Sequence, residues 1–138
     1  MKYMFIMRAS NDVTPATMHD ENFGEIMAMM GRYNESMIAA GILLAGDGLA
    51  PAEEGLVVDF SSTPPVVTDG PYGETKELFN GFWIVDDATR EDAAEWASRA
   101  PLGPGLKLEV RRVPGIEEFD QDDPTVQREK AWREANGQ

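Results

Sequence analysis

The densest set of chemically capable side chains lies in residues 69–77, which read Asp69-Gly70-Pro71-Tyr72-Gly73-Glu74-Thr75-Lys76-Glu77. A glutamate beside a lysine in a partly dry cleft can act as general acid or base once burial and the neighbouring charge tune its pKa. Glu74 and Lys76 have that spacing and Asp69 adds a second carboxylate, so these three are the candidate catalytic residues. The same run is a turn signal: Asp bonds its own backbone two residues on, Gly takes positive φ, and Pro fixes φ. A surface ion pair explains Glu74 and Lys76 equally well. Asp47, in Gly46-Asp47-Gly48, is a candidate ligand contact, because flanking glycines let a backbone approach a ligand closely. The expectation is that Asp47, Asp69, Glu74 and Lys76 converge within about one side-chain length of a cavity.

Other chemistries find little support. The single histidine, His19, stands near a helix start, where solvent exposure is the ordinary reading. One histidine and no cysteine argue against structural zinc, haem, disulfides and a thiol nucleophile. A carboxylate-only Mg²⁺ or Ca²⁺ site is open, but no EF-hand spacing is present. No phosphate-binding glycine loop or nucleophile elbow occurs. The expectation is no cofactor and no metal. Aromatic side chains more often fill cores than contact ligands. If the fold encloses a hollow, Tyr33 and Trp83 are the rings expected to line it; Tyr72 is a further candidate ligand-binding residue.

These groups depend on the elements that carry them. Residues 2–8 and 78–85 are apolar on both alternating faces, the pattern of strands covered on both sides. Thr14-Pro15 and Thr17-x-x-Asp20 are competing helix starts. Phe23, Ile26, Met27, Met30, Tyr33 and Met37 follow at helical spacing, and Gly41 ends the segment. Ile42 to Ala45 reads as a short strand entering a tight turn or bulge at Gly46-Asp47-Gly48. Residues 56–60 and 65–68 form a hairpin pattern whose Pro64-Pro65 belongs on an edge. Thr89-x-x-Asp92 opens a short helix that Pro101 stops, and residues 106–111 alternate as a half-exposed strand. After Pro114-Gly115 the chain turns acidic, and Asp123-Pro124 opens a last helix with few apolar residues, chiefly Val126, Ala131 and Trp132.

The whole chain has 138 residues and a formal charge of −13, from 25 acidic and 12 basic side chains. That charge disfavours nucleic acid and anionic membrane as partners. No apolar run is long enough to span a bilayer, and the N-terminal apolar stretch is too short for a signal peptide. The expected location is cytoplasmic.

The order strand, helix, strands, strand, helix, strand is the ferredoxin-like α+β plan (βαββαβ) with an extra hairpin and a C-terminal helical extension. Both helices of that plan cover one sheet face. Two strands apolar on both faces then call for a second subunit on the other face: a homodimer, with sheets packed into a dimeric α/β barrel.

The 69–77 run closely resembles the Asp-Gly-Pro-Phe-Ala-Glu-Thr-Lys-Glu motif of the YCII-related (DGPF) family. Lys2-Tyr3-Met4, the stretch from Ala40 to Leu49, Gly81-Phe82-Trp83 and the stretch from Glu91 to Trp96 extend the resemblance from Met1 to about Arg112. Tyr72 and Gly73 depart from the usual Phe and Ala. The resemblance implies a domain over residues 1–113, followed by an acidic linker and helix over 114–138, and a homodimeric barrel. It names no reaction. Smaller members carry an early helical histidine proposed to act with an aspartate; His19 comes about a turn or more too early to inherit that role. Two functions fit. One is small-molecule binding or cofactor-free catalysis at a barrel cavity near Asp69–Glu77. The other is a regulatory or interaction module, in keeping with the family's frequent sigma-factor setting, in which the motif is structural.

Overall fold

A computed structural model describes residues 1–10, 21–69, 77–87 and 89–138. Among these residues, six strands and three α-helices follow in order: β1 (Lys2–Ser10), α1 (Phe23–Ala39), β2 (Leu43–Gly48), β3 (Leu56–Asp59), β4 (Val66–Asp69), β5 (Glu77–Asp86), α2 (Arg90–Ser98), β6 (Leu106–Val113) and α3 (Pro124–Ala135). β2, β5, β1 and β6 form one sheet in that spatial order, and β3 and β4 form a separate two-stranded sheet. All neighbouring pairs are antiparallel. The α+β architecture and its order of elements are compatible with a ferredoxin-like fold. No helix among the described residues is long and apolar enough to cross a membrane.

Period-two alternation sorts the strand residues onto two faces. Tyr3 pairs with Val85, and Phe5 pairs with Trp83 and Val110. These side chains form one core cluster with Tyr33 and Met37 of α1 and Ala93 of α2, so both helices cover the same face. Phe5, Met37 and Val85 are the largest side chains buried completely. Tyr33 and Trp83 meet edge to face, with ring centroids 5.3 Å apart at 85°. Their polar ends are satisfied: the Tyr33 hydroxyl donates to the Trp96 carbonyl at 2.8 Å, and Trp83 Nε1 donates to Asn34 Oδ1 at 2.8 Å.

The helix boundaries follow local chemistry. At the end of α1, Gly41 takes φ 75°. There the Gly41 amide donates to the Ile38 carbonyl at 2.9 Å, and the Ile42 amide to the Met37 carbonyl at 3.0 Å. This is the Schellman ending, and glycine reaches the left-handed region at no steric cost. At the start of α2, Thr89 Oγ1 accepts from the Asp92 amide at 3.0 Å.

Among the described residues, the other sheet face carries no helix of the main core. Met4, Ile6, Phe82 and Ile84 are half-buried there. Irregular register between Met7 and Arg8 brings Phe79 opposite Arg8 on this face, with its ring 6.4 Å from that of Phe82. Gly46-Asp47-Gly48, expected as a tight turn or bulge, belongs to β2, and the register irregularity falls earlier, between Leu43 and Ala45. The glycines serve packing between strands. A Cβ on Gly46 would lie 2.7 Å from Trp83 Cδ1, and one on Gly81 would lie 3.0 Å from the Asp47 carbonyl oxygen.

Past β6, a bidentate pair between Arg112 and Glu118 ties down the start of the acidic segment. Asp123 Oδ1 accepts from the Thr125 amide at 2.7 Å, capping α3. Trp132 on α3 stays 56% exposed, so this helix buries little of its one large apolar side chain.

Candidate functional site

One end of the four-stranded sheet carries Asp47 and the entry of the 69–77 run into β5. Ser10, the last residue of β1, is the register partner of Glu77, the first residue of β5. Gly48, the last residue of β2, lies opposite Gly81. The 69–77 run therefore joins the sheet at the end where β2 stops. Asp47 sits at this end, exposed, opposite Phe82 on the face away from the helices.

Asp69 closes the hairpin, opposite Leu56 and exposed, in a different sheet from Asp47. Tyr72, Glu74 and Lys76 lie outside the described residues, as do His19 and both expected helix-start signals around it. Tyr33 and Trp83 do meet, but on the helix-covered face, each only 6% exposed. That face is opposite the one carrying Asp47. The rings that share the face of Asp47 are Phe82 and Phe79. The signal for Phe82 was present in its alternation with Ile84; the displacement of Phe79 by an irregular register was not.

Burial has an electrical consequence at Tyr33. Loss of solvent pushes its phenol up to about 12 against the smaller opposing pull of Arg99. Tyr33 therefore stays neutral as a hydrogen-bond donor and is not a general base at ordinary pH. On the surface, the hydrogen bond and charge of Arg112 hold the Glu118 carboxyl below its usual range. An open groove of about 300 Å³ also runs beside α1, lined by Met29, Arg32, Tyr33, Ser36, Arg99 and Pro101. Arg99 is already engaged there, with Glu95 at 2.5 Å and its guanidinium 4.6 Å from the centroid of the Trp96 ring. Sequence reasoning missed this groove, because residues from α1 and from the chain beyond α2 meet only after folding. Among the described residues no group of three or more His, Cys, Asp or Glu side chains is placed to hold a metal ion.

The arrangement on the uncovered face can hold an apolar body against Phe82 and Ile84 and orient a polar end at Asp47. An uncharacterised protein of Rhizobium meliloti (strain 1021) is 28% identical over 97 residues, which is 70% of this chain and 77% of that protein. The family model for the YCII-related domain matches residues 1–117, and the chain belongs to that family.

Proposed function

We propose that this protein binds a small molecule, or transforms one without a cofactor, in a cavity formed when two copies pack their uncovered sheet faces together. One observation carries the reading: an apolar face of Met4, Ile6, Phe82 and Ile84 with no core helix over it among the described residues, and a carboxylate, Asp47, on that same face. Apolar area of this kind gains roughly 25 cal/mol per Å² when taken out of water, and a second copy supplies a self-complementary cover. Enclosure would also tune the ionisable groups at its rim, because desolvation raises carboxyl pKa values and a neighbouring ammonium opposes that rise.

In this reading Glu74 and Lys76 form the acid–base pair, Asp69 supports them, and Asp47 and Tyr72 orient the ligand. The entry of the 69–77 run into β5 beside the end of β1 supports it. The ligand class that fits is a small molecule with an apolar body and a polar end.

The test is a thermal-shift screen against metabolites and hydrophobic acids, run on the wild type and on the Glu74→Gln/Lys76→Met double variant. A ligand at a hundred times its Kd adds about 2.7 kcal/mol of stability, a shift of several degrees. A stabilising compound that loses its effect in the variant is the expected result. No stabilisation by any compound, with both proteins folded, would overturn the reading. The motif would then be a turn and an ion pair in an interaction module.

A further inference from the structure

α1 places Met29, Arg32, Tyr33 and Ser36 at the three- and four-residue spacing that makes neighbours on one helix face. Arg99, at the end of α2, and Pro101 just beyond it complete the lining of the open groove beside α1. Its volume of about 300 Å³ is at the small end of the range that holds a ligand, about 300–1,000 Å³. The groove lies on the helix side of the molecule, away from the uncovered sheet face.

The lining runs against the balance of the chain. Acidic side chains outnumber basic ones by 25 to 12, yet among the described residues two guanidiniums and no carboxylate line the groove. Arg32 is exposed and makes no ion pair or hydrogen bond among the described residues. Arg99 donates from Nη2 to Glu95 at 2.5 Å and stacks 4.6 Å from the centroid of the Trp96 ring. A guanidinium carries five N–H donors, so these contacts hold Arg99 in place and leave donors for a ligand. Glu95, and Glu35 three residues beyond Arg32 on α1, offset the charge from outside the lining. Recognition therefore falls to short contacts and not to long-range attraction.

The hydroxyls add a second requirement. Ser36 donates its proton to the Tyr33 carbonyl at 2.7 Å, and Tyr33 donates its own to the Trp96 carbonyl at 2.8 Å. With both protons committed, each oxygen offers a ligand only lone pairs. The carbonyls at the end of α2 are occupied as well: Trp96 accepts from the Arg99 amide and Ala97 from the Ala100 amide, both at 3.1 Å.

We propose that this groove binds a small organic acid with a hydrogen-bond donor beside its carboxylate, a 2-hydroxy acid being the simplest case. The carboxylate is shared between Arg32 and Arg99, whose planar forks match its two oxygens. The ligand hydroxyl donates to Ser36 Oγ, and the apolar body lies on Met29 and Pro101. A singly charged acid is favoured over a phosphate, because repulsion by a chain of charge −13 grows with the charge of the ligand. This site is separate from the one proposed at the sheet face and does not rest on it.

The test uses mandelate, a 2-hydroxy acid with an apolar ring, titrated into the full chain while NMR follows the backbone amides. Saturable shifts within residues 29–36 and 96–101 are expected. Arg32→Gln should melt with the wild type and bind mandelate about tenfold more weakly or worse, the loss of a charged hydrogen bond. Phenylacetate, which lacks the hydroxyl, should bind severalfold more weakly, and uncharged methyl mandelate should cause no saturable shift. Equal affinity for mandelate and phenylacetate overturns the role of Ser36. Tighter binding of phenyl phosphate at the same residues overturns the carboxylate. No shift at tens of millimolar mandelate, or shifts that Arg32→Gln leaves unchanged, overturns the groove. Shifts confined to residues 45–48 and 79–84 also overturn it, while supporting the sheet-face reading.

Discussion

The two faces of the four-stranded sheet are built from the same strands and end in opposite conditions. On β1, Phe5 is completely buried while its neighbour Ile6 is only half-covered. On β5, Trp83 is buried and Phe82 half-covered. Side-chain chemistry does not explain the difference, since all four are large and apolar. Both helices pack on one side, and among the described residues no element of the core cluster covers the other. A strand apolar on both faces thus reports how many layers are needed, and the count of amphipathic helices reports how many the chain brings itself.

Substitutions can break that comparison, and the largest effect is expected in the closed layer. Phe5→Ala should destabilise the protomer by about 3–5 kcal/mol in urea denaturation, the usual cost of emptying a well-packed aromatic site. A loss below about 1 kcal/mol would mean that the helix-side core is looser than its burial indicates.

The second expectation is alkaline instability from the same layer. Tyr33 has its folded pKa raised to about 12 from an ordinary 10. Its contribution is therefore fully present below pH 10 and is lost as pH rises toward 12. Two pKa steps correspond to about 3 kcal/mol as an upper bound. Tyr33→Phe should flatten this part of the stability profile, with a cost near neutrality of about 1 kcal/mol for the lost bond to the Trp96 carbonyl. An unchanged alkaline profile in the variant would assign the loss to other groups.

The seam between the layers is third. Gly46→Ala pushes a methyl group into Trp83, a contact too close to keep, so Trp83 or β2 must shift. A cost of about 1–3 kcal/mol is expected, with altered tryptophan fluorescence. A neutral result would show that the edge strand yields freely.

The uncovered layer should respond differently. If two copies pack through this face as proposed, Ile6→Lys is expected to cost the protomer less than about 1 kcal/mol, yet to bring the mass seen by light scattering down to that of one chain. If that variant instead unfolds, the face is part of the protomer's own core and the comparison fails. The smallest effect belongs to the tail. Glu118→Gln removes the partner of Arg112 and should speed proteolysis beyond residue 113 without a measurable change in melting temperature. Glu118 has its pKa lowered by Arg112, so this tether is present above the ordinary carboxylate range and is lost only as pH falls below it. Equal cleavage rates for both proteins would remove the tether from consideration.

Much of the architecture was legible in local patterns. The helical spacing from Phe23 to Met37, the stop at Gly41, the Thr89–Asp92 cap and the alternation after Gly105 each depend on interactions within a few residues, and each corresponds to an observed element. The hairpin over 56–69 was equally readable. The reading of Gly46-Asp47-Gly48 as a tight turn or bulge failed because glycine is also what a strand needs where a tryptophan of the neighbouring strand crosses closely. Nothing local distinguishes the two uses.

The site was less legible for a related reason. Asp47 and Trp83 are adjacent in the paired strands and face opposite ways, because Asp47 lies opposite Phe82 and Gly46 opposite Trp83. A shift of one residue in the β2–β5 register would have put Asp47 level with Trp83, on the helix side. By itself the sequence determined the elements, their order, the two-sided apolar character of β1 and β5, and the acidic balance of the chain. All of these follow from side-chain type and short-range spacing. Only the tertiary structure decided which face each candidate occupies, and that the Leu56–Asp69 hairpin would stand with its apolar side uncovered. Facing and covering are set by register and by contacts between residues distant in the chain, and no local pattern encodes them.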